Sequence, residues 1–282
     1  PAPWANVIAN PEFGVVVSES GSSYTWFENA HEFRLTPWHN DPVSDASGEA
    51  LYLRDEETGR VWSPTPLPCR GQGSYQTRHG FGYSVYEHVE HGIATELWIY
   101  VALDAAVKFS HLIVRNTSGR PRRLSATGYV EWVLGDVRGR SQMHVVTEVG
   151  TDAGTVFAHN PYNIEFGGRV AFFDVDSHTR SITADRSEFL GRNGHLGAPA
   201  ALQRASLSGA VGVGLDPCAA VQIPIVLRDG ESVATTFRLG AANDRGAAAA
   251  LAGRHKGAEA AAAALAKVRR FWARGGGSAW RA

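Results

Sequence analysis

Apolar and polar residues alternate in short runs through most of this chain, and turn residues separate the runs. Residues 83–90 and 93–101 flank His91-Gly92, so they read as a β-hairpin closed at a glycine. Residues 107–116 and 123–134 repeat the pattern around a longer turn, Thr117-Ser118-Gly119-Arg120-Pro121. Shorter runs follow at 145–149, 155–159, 169–175, 181–184 and 211–215, and the pair 219–227 and 232–239 closes the series around Arg228-Asp229-Gly230-Glu231. Leu97, Ile99 and Val101 fall on one face of their run, yet Trp98 and Tyr100 occupy the other, so both faces need apolar cover. Strands this frequent, with no helical period between them, predict a mainly β, antiparallel sandwich over residues 1–240.

The pattern changes after Gly240. From Asn243 or Asp244 to about Arg274 the chain is Ala-rich with Lys and Arg, which predicts one helix opened by an Asn or Asp cap and weakened in its middle by Gly253 and Gly257. Leu265, Val268, Phe271 and Trp272 recur at helical spacing, so one stripe docks on a neighbour. Residues 241–282 are therefore expected to be a linker helix and tail outside the sandwich.

Two polar stretches stand out from this framework. Between Phe13 and Pro68 the side chains Trp26, Glu28, Asn29, Arg34, Trp38, His39, Asn40, Asp41 and Asp45 crowd together. Sugars present flat C–H faces for an indole and a rim of hydroxyls for donors and acceptors, so this mixture suits a carbohydrate. The alternative is a loop-rich sandwich edge whose Trp residues plug its ends. Residues 185–199 form a second polar, glycine-studded loop, long enough for a compact domain that a ligand-facing role is a fair expectation.

Composition narrows the function classes. The 282 residues carry 27 basic and 28 acidic side chains and a formal net charge of -1, without the clustered basic face a nucleic-acid binder needs. The densest basic run, Arg120-Pro121-Arg122-Arg123, sits at an expected hairpin tip. Cys69 and Cys218 have no metal-ligand spacing and read as idle thiols. No run approaches the ~20 apolar residues of a membrane span, and the start at Pro1 marks the chain as an expected piece of a longer protein.

Candidate chemistry is sparse. Residues 71–82 read as a loop but lack the spacing of a phosphate cradle. His88 and His91 would lie on opposite faces of a strand, which argues against a metal pair. There is no GxSxG elbow. Glu19, Glu28, Asp41, Asp45, Glu131 and Asp185 are carboxylates of the kind glycoside chemistry uses in pairs, but nothing in the sequence says which approach each other. Asn116-Thr117-Ser118 matches a glycosylation sequon and reads as coincidence.

Several segments taken together resemble the N-terminal region of the carbohydrate phosphorylases of glycoside hydrolase family 94, formerly glycosyltransferase family 36, with the strongest likeness to the phosphorylase-like part of cyclic β-1,2-glucan synthases. The likeness runs from Trp4 to Gly240. It is carried by residues 13–68, by LIVRNTSGRPRRL at 112–124, YVEW at 129–132, DRSEFLG at 185–191, LSG at 207–209 and GLDP at 214–217. It implies a galactose-mutarotase-like β-supersandwich followed by a linker helix and an (α/α)6 barrel. The general acid and the phosphate site belong to the barrel in that family, so no residue here is expected to be catalytic.

Carried over residue by residue, the resemblance implies sugar-facing or cleft-lining roles for Trp26, Glu28, Arg34, Trp38, Asn40 and Asp41, and for Asp185, Arg186 and Phe189. Each also has a structural reading: Trp26 and Trp38 as plugs, Arg34 paired with Asp41, Asp185 paired with Arg186. The partners implied are a glucan oligosaccharide, the barrel of the same parent and a second copy in a homodimer. No cofactor, metal or nucleic acid is implied. Cyclic glucan synthases are inner-membrane proteins, so the parent is expected to be membrane-attached in a bacterium. The leading expectation is thus a non-catalytic sugar-binding scaffold. The alternatives are an autonomous carbohydrate-binding module and a mutarotase-like epimerase acting through His79, His111 and Glu131.

Overall fold

The computed structural model describes residues 3–39, 41, 43–150 and 154–275. The chain opens with β1 (Ala5–Ala9), β2 (Phe13–Ser18) and β3 (Ser23–Phe27), a small antiparallel sheet in that order. After the polar stretch come β4 (Glu49–Asp55), β5 (Val61–Trp62), β6 (Tyr75–Gly80), β7 (Tyr83–Glu90), β8 (Ile93–Val101), β9 (Val107–Asn116) and β10 (Arg122–Glu131). A one-turn helix α1 (Arg138–Ser141) leads to β11 (Val146–Val149), β12 (Val156–His159), β13 (Val170–Val175) and β14 (Ser181–Asp185). The short helix α2 (Arg186–Leu190) starts a long excursion to β15 (Pro217–Leu227), which β16 (Ser232–Ala242), α3 (Arg245–Arg254) and α4 (Ala258–Ala273) follow.

Among the described residues, two larger antiparallel sheets carry the body. One has five strands, in the order β14-β15-β10-β4-β5, and the other has eight, β11-β12-β13-β16-β9-β8-β7-β6. Their facing sides, with β2 alongside, bury one continuous core that includes Val15, Leu53, Leu97, Ile99, Leu112, Val221 and Phe237. The apolar residues on the other sides are covered too. Tyr100, Phe109 and Phe172 on the outside of the eight-stranded sheet pack against Ala248, Ala252, Ala261 and Ala264 of α3 and α4. Outside the five-stranded sheet, Tyr52, Tyr129 and Cys218 are covered by Phe189, Leu190 and Leu202 of the excursion. Two-sided cover is what the apolar pattern of β8 demanded.

Several local expectations are corrected. The runs flanking residues 117–121 and 228–231 do not form hairpins: β9 and β16 lie in the eight-stranded sheet and β10 and β15 in the five-stranded one, so each turn crosses between the sheets. The Ala-rich segment forms two helices. Asp244 caps α3 through Ala247 N–H (2.8 Å), but His255–Gly257 interrupt the run, with Gly257 at φ 98°, a conformation a side chain resists. Residues 75–80 of the glycine-rich stretch are an edge strand, where polar Gln76 and Arg78 meet solvent. Residues 211–215 are not a strand, because Gly212 (φ 145°) and Gly214 (φ 73°) turn the chain.

Two buried charge clusters brace the body. Arg238, fully buried on β16, pairs with Asp174 (2.6 Å) and Asp176 (2.9 Å) and donates to the His255 carbonyl (2.7 Å), which ties the helices to the sheet. Lys108 of β9 meets Glu49 of β4 between the sheets. His88 and His91 depart from the opposite-face expectation. His91 leaves the strand with φ 48°, so both rings reach the Glu90 carboxylate, at 3.2 and 3.0 Å.

Candidate functional site

The two polar stretches of the sequence meet. A cleft of about 510 Å³ opens at the Glu131 end of the five-stranded sheet, lined on one side by His39 and residues 44–47 and on the other by Arg186, Leu190 and residues 194–197, with Leu67 and Pro68 between them. Each wall is held by its own hydrogen bonds. Asp45 accepts from Ser18 Oγ (2.7 Å) and from Ser20, and the Ser47 hydroxyl accepts from the Ser23 and Glu49 amides, both at 3.0 Å. Leu67 N–H donates to the Ser20 carbonyl (2.9 Å), which sets Leu67 beside the same strand pair.

The second wall rests on aromatic packing. Phe189 is fully buried and stacks on Tyr129 with ring centres 4.8 Å apart, while the Tyr52 hydroxyl donates to the Leu196 carbonyl (2.9 Å). Asp185 caps α2, accepting from the Ser187 (2.9 Å) and Glu188 (3.4 Å) amides. Asp185→Ala is expected to cost about 1 kcal/mol by loss of this cap, seen as a small fall in urea midpoint. A loss several times larger would show that Asp185 holds more than its helix.

At the base of the cleft a ring of four charges joins four segments of chain. Glu131, at the end of β10, forms an ion pair with Arg138 on one oxygen (2.6 Å) and accepts from Arg186 Nε on the other (2.8 Å). Asp216, just before β15, closes the ring by pairing with Arg138 and, at 3.4 Å, with Arg186. Burial alone would lower the pKa of the Arg186 guanidinium, but Glu131, Tyr129 and Asp216 outweigh it and raise the pKa instead, so the group stays charged. The ring is neutral in sum and offers directed donors and acceptors. That suits a ligand rich in hydroxyls better than an anion, which would have to displace a carboxylate.

Of the residues expected to face sugar, Arg186 lines the cleft itself. Trp38, 41% exposed, adjoins the cleft residue His39 in sequence and packs at a tilt of 42° against Tyr24 (4.7 Å), which in turn meets Trp26 (5.5 Å). Those three rings form a half-open aromatic surface. Asp41 makes its own turn, accepting from the Val43 amide (3.0 Å) and from the Ser44 hydroxyl (2.5 Å); these bonds hold its carboxyl below the usual range. Arg34 donates to the Ala30 and Asp136 carbonyls, both at 3.2 Å, rather than to Asp41. Glu28 forms a two-pronged pair with Arg169 (3.0 and 3.2 Å). Phe189 and Asp185 act in support, one as core and the other as cap, and the Asp185–Arg186 pair is replaced by the ring. Asn40 lies outside the described residues.

Arg138, Asp216 and His195 were not singled out, and only Asp216 fell in a quoted motif. Arg138 sits in GDVRGR, where no spacing marks it. His79, His111 and Glu131 are not brought together. His79 bonds Ser84 Oγ (2.8 Å) and His111 bonds Thr236 Oγ1 (2.9 Å) on the eight-stranded sheet, while Glu131 lies on the other. Among the described residues no cluster of His, Cys, Asp and Glu is arranged to hold a metal, and no helix is long and apolar enough to cross a membrane. Asn116 of the sequon is buried and its amide donates to the Arg120, Leu227 and Arg228 carbonyls.

The fold is an antiparallel β-sandwich of the galactose-mutarotase type. A candidate aldose 1-epimerase from Escherichia coli K12 aligns over 85% of this chain and 99% of its own at a TM-score of 0.50 and 10% identity. A bacterial glucoamylase complexed with acarbose aligns over 90% of this chain and 36% of its own at a TM-score of 0.53 and 8% identity. These likenesses concern the fold alone. The family model for the glycosyl hydrolase 94 supersandwich domain matches residues 1–258, and the chain belongs to that family. It is 38% identical over 274 residues to the cyclic beta-(1,2)-glucan synthase NdvB of Rhizobium meliloti (strain 1021), covering 96% of this chain and 10% of the synthase. It is also 28% identical to an N,N'-diacetylchitobiose phosphorylase of Vibrio furnissii, over 96% of this chain and 35% of that enzyme. The chain thus spans about a tenth of the one relative and about a third of the other.

Proposed function

We propose that this domain holds a β-1,2-linked glucan in the cleft beside Arg186 and presents it to a catalytic barrel of the same polypeptide, without breaking a bond itself. The observation that carries the reading is the meeting of two sequence-distant polar stretches on one cleft with a neutral ring of charges at its base. Glu131 has each carboxylate oxygen paired with a guanidinium, which leaves it placed to orient a ligand and poorly placed to deliver a proton. The cyclic glucan synthase relative supports β-1,2-glucan as the sugar. Whether the parent is membrane-attached or dimeric belongs to the same proposal and follows from the family resemblance.

Titrating the chain with β-1,2-linked gluco-oligosaccharides tests this, with an expected affinity near ~1 mM for one short sugar. Trp38→Ala should weaken binding about three- to tenfold, the worth of one aromatic face. Absence of heat and of chemical-shift change at high millimolar sugar would leave only a scaffold role. Release of glucose 1-phosphate by the isolated chain in the presence of phosphate would overturn the non-catalytic assignment. A parent that loses activity without this domain would speak against an autonomous binding module.

A further inference from the structure

We propose that His195 is a pH-dependent latch on the cleft. Neutral, its imidazole holds the wall at residues 195–197; protonated, it lets that wall go, so sugar binding weakens as pH falls through the imidazole range. The sugar rests on the glucan reading above. The latch stands on its own geometry and can be read without a ligand.

Three bonds of this wall use groups that do not titrate near neutrality. Gly194 N–H donates to the Gly191 carbonyl (3.0 Å), Ala198 N–H to the His195 carbonyl (3.0 Å) and the Tyr52 hydroxyl to the Leu196 carbonyl (2.9 Å). Burial pushes the Tyr52 hydroxyl well above its ordinary range, so it keeps its proton. A fourth bond differs: Gly197 N–H donates to His195 Nδ1 (3.1 Å). An amide can donate only to a ring nitrogen that carries no proton, which fixes His195 as the neutral tautomer protonated on Nε2. The seat is tight, because a Cβ on Gly197 would come within 3.0 Å of Nδ1 and 3.2 Å of the Pro68 carbonyl. Pro68 and residues 194–197 line the same cleft, so the latch acts where the ligand is read to lie.

An imidazole takes up its second proton between about pH 5 and 8. Nδ1–H would then face Gly197 N–H, donor against donor, and the bond is lost. The ring is exposed, so protons reach it from solvent. Its charged and titratable neighbours are His39 and Asp45 on the opposite wall, Glu131 and Arg186 at the base, and Arg192 on its own loop. Asp45 is engaged by Ser18 and Ser20, and Glu131 by Arg138 and Arg186. Both carboxylates therefore already have partners, and an imidazolium at His195 adds to the charge of Arg186. His195 thus acts on the sugar through the wall, as a positioning residue. His39 titrates in the same range, so a test must separate the two rings.

The first measurement follows the isotope-labelled chain without sugar from about pH 8 to 5. The expected result is a ring proton on Nε2 at the upper pH and a Gly197 amide that shifts with the same midpoint as the His195 ring. A proton on Nδ1 at the upper pH, or a Gly197 amide indifferent to the ring, overturns the latch. The second measurement titrates β-1,2-linked gluco-oligosaccharides at both ends of that range. Binding by the natural protein should be roughly three- to tenfold weaker at the lower pH, the worth of one hydrogen bond. His195→Asn offers an oxygen that can accept the same amide two residues on at either pH, so it should bind equally at both. His39→Gln should retain the pH dependence. Thermal unfolding of each variant checks that it is folded. Dependence kept in His195→Asn, or lost in His39→Gln alone, overturns the assignment to His195, as does equal binding by the natural protein at the two pH values. A Gly197 response with no sugar binding at either pH supports the latch and overturns the glucan reading.

Discussion

Lys108→Met is expected to lower the free energy of unfolding by about 3–5 kcal/mol, because it leaves a carboxylate buried without its cation. Lys108 is 2% exposed and Glu49 8%, and they pair between the five- and eight-stranded sheets. The third sheet joins them: Ser23 Oγ and Thr25 Oγ1 of β3 donate to Glu49 at 2.9 and 2.6 Å, Thr36 Oγ1 donates at 2.7 Å, and Lys108 reaches Ser23 Oγ at 3.1 Å. One polar node therefore registers three sheets. Burial pushes the Glu49 carboxyl up, but Lys108 and the hydroxyl donors outweigh it and hold the group below its ordinary range. A depressed carboxylate contributes stability that is present above the unfolded-state pKa and is lost as pH falls through the folded one. Without Lys108 the burial that pushes this carboxyl up, the largest single influence on it, is no longer opposed by a cation, so the sign reverses: the variant regains stability on acidification while the natural protein loses it. Denaturant midpoints at neutral pH and near pH ~3, below the ordinary carboxylate range, check both claims. Equal midpoints for the two proteins at neutral pH would show that the node is dispensable. Lys108→Met combined with Glu49→Leu should recover much of the loss, since replacing both charges by apolar groups removes the stranded ion.

The antiparallel body was legible because alternation is a local property. The two-sided apolar pattern of β8 correctly required cover on both faces, and the hairpin at Gly92 was marked by its turn residues, whereas the turns at 117–121 and 228–231 carry the chain from one large sheet to the other and close no hairpin. What escaped was decided by pairing across distance. The edge strand β6 is written in polar residues because one of its edges and much of its surface meet water, so it reads like a loop. The break between α3 and α4 depends on a single positive φ at Gly257 within an otherwise continuous helical composition.

The site divides along the same line. The aromatic and polar density of residues 13–68 and the length of the loop at 185–199 were visible, and both reach one cleft. Partners were not visible. Arg34 had Asp41 within reach in sequence but finds carbonyl oxygens, and Arg186 adjoins Asp185 but pairs with Glu131, 55 residues away. A carboxylate's neighbours follow from sheet order, and the order β14-β15-β10-β4 is what sets Glu131 and residues 44–47 around one opening, with Asp216 behind it in the ring.

Arg186→Ala should abolish measurable binding of short β-1,2-gluco-oligosaccharides while the chain stays folded. Its side chain is 32% exposed, so it is the member of the ring most open to the cleft, and it is anchored by Glu131 (2.8 Å) and Asp216 (3.4 Å). Hydrogen bonds from a charged donor contribute about 1.5–3 kcal/mol, which is roughly a ten- to hundredfold change in Kd and enough to push a millimolar interaction out of range. The fold should tolerate the change because Arg138 still pairs with both Glu131 and Asp216. Arg186→Lys keeps the charge but loses the planar fork that joins the two acids, so it should bind weakly and bring little recovery. Sugar titrations of the three proteins, read beside their thermal unfolding, separate the outcomes. Binding retained in Arg186→Ala would move the ligand away from the ring and towards the Tyr24, Trp26 and Trp38 surface. Binding lost together with the fold would make the ring a structural joint. Binding lost with unfolding nearly unchanged places the guanidinium on the sugar.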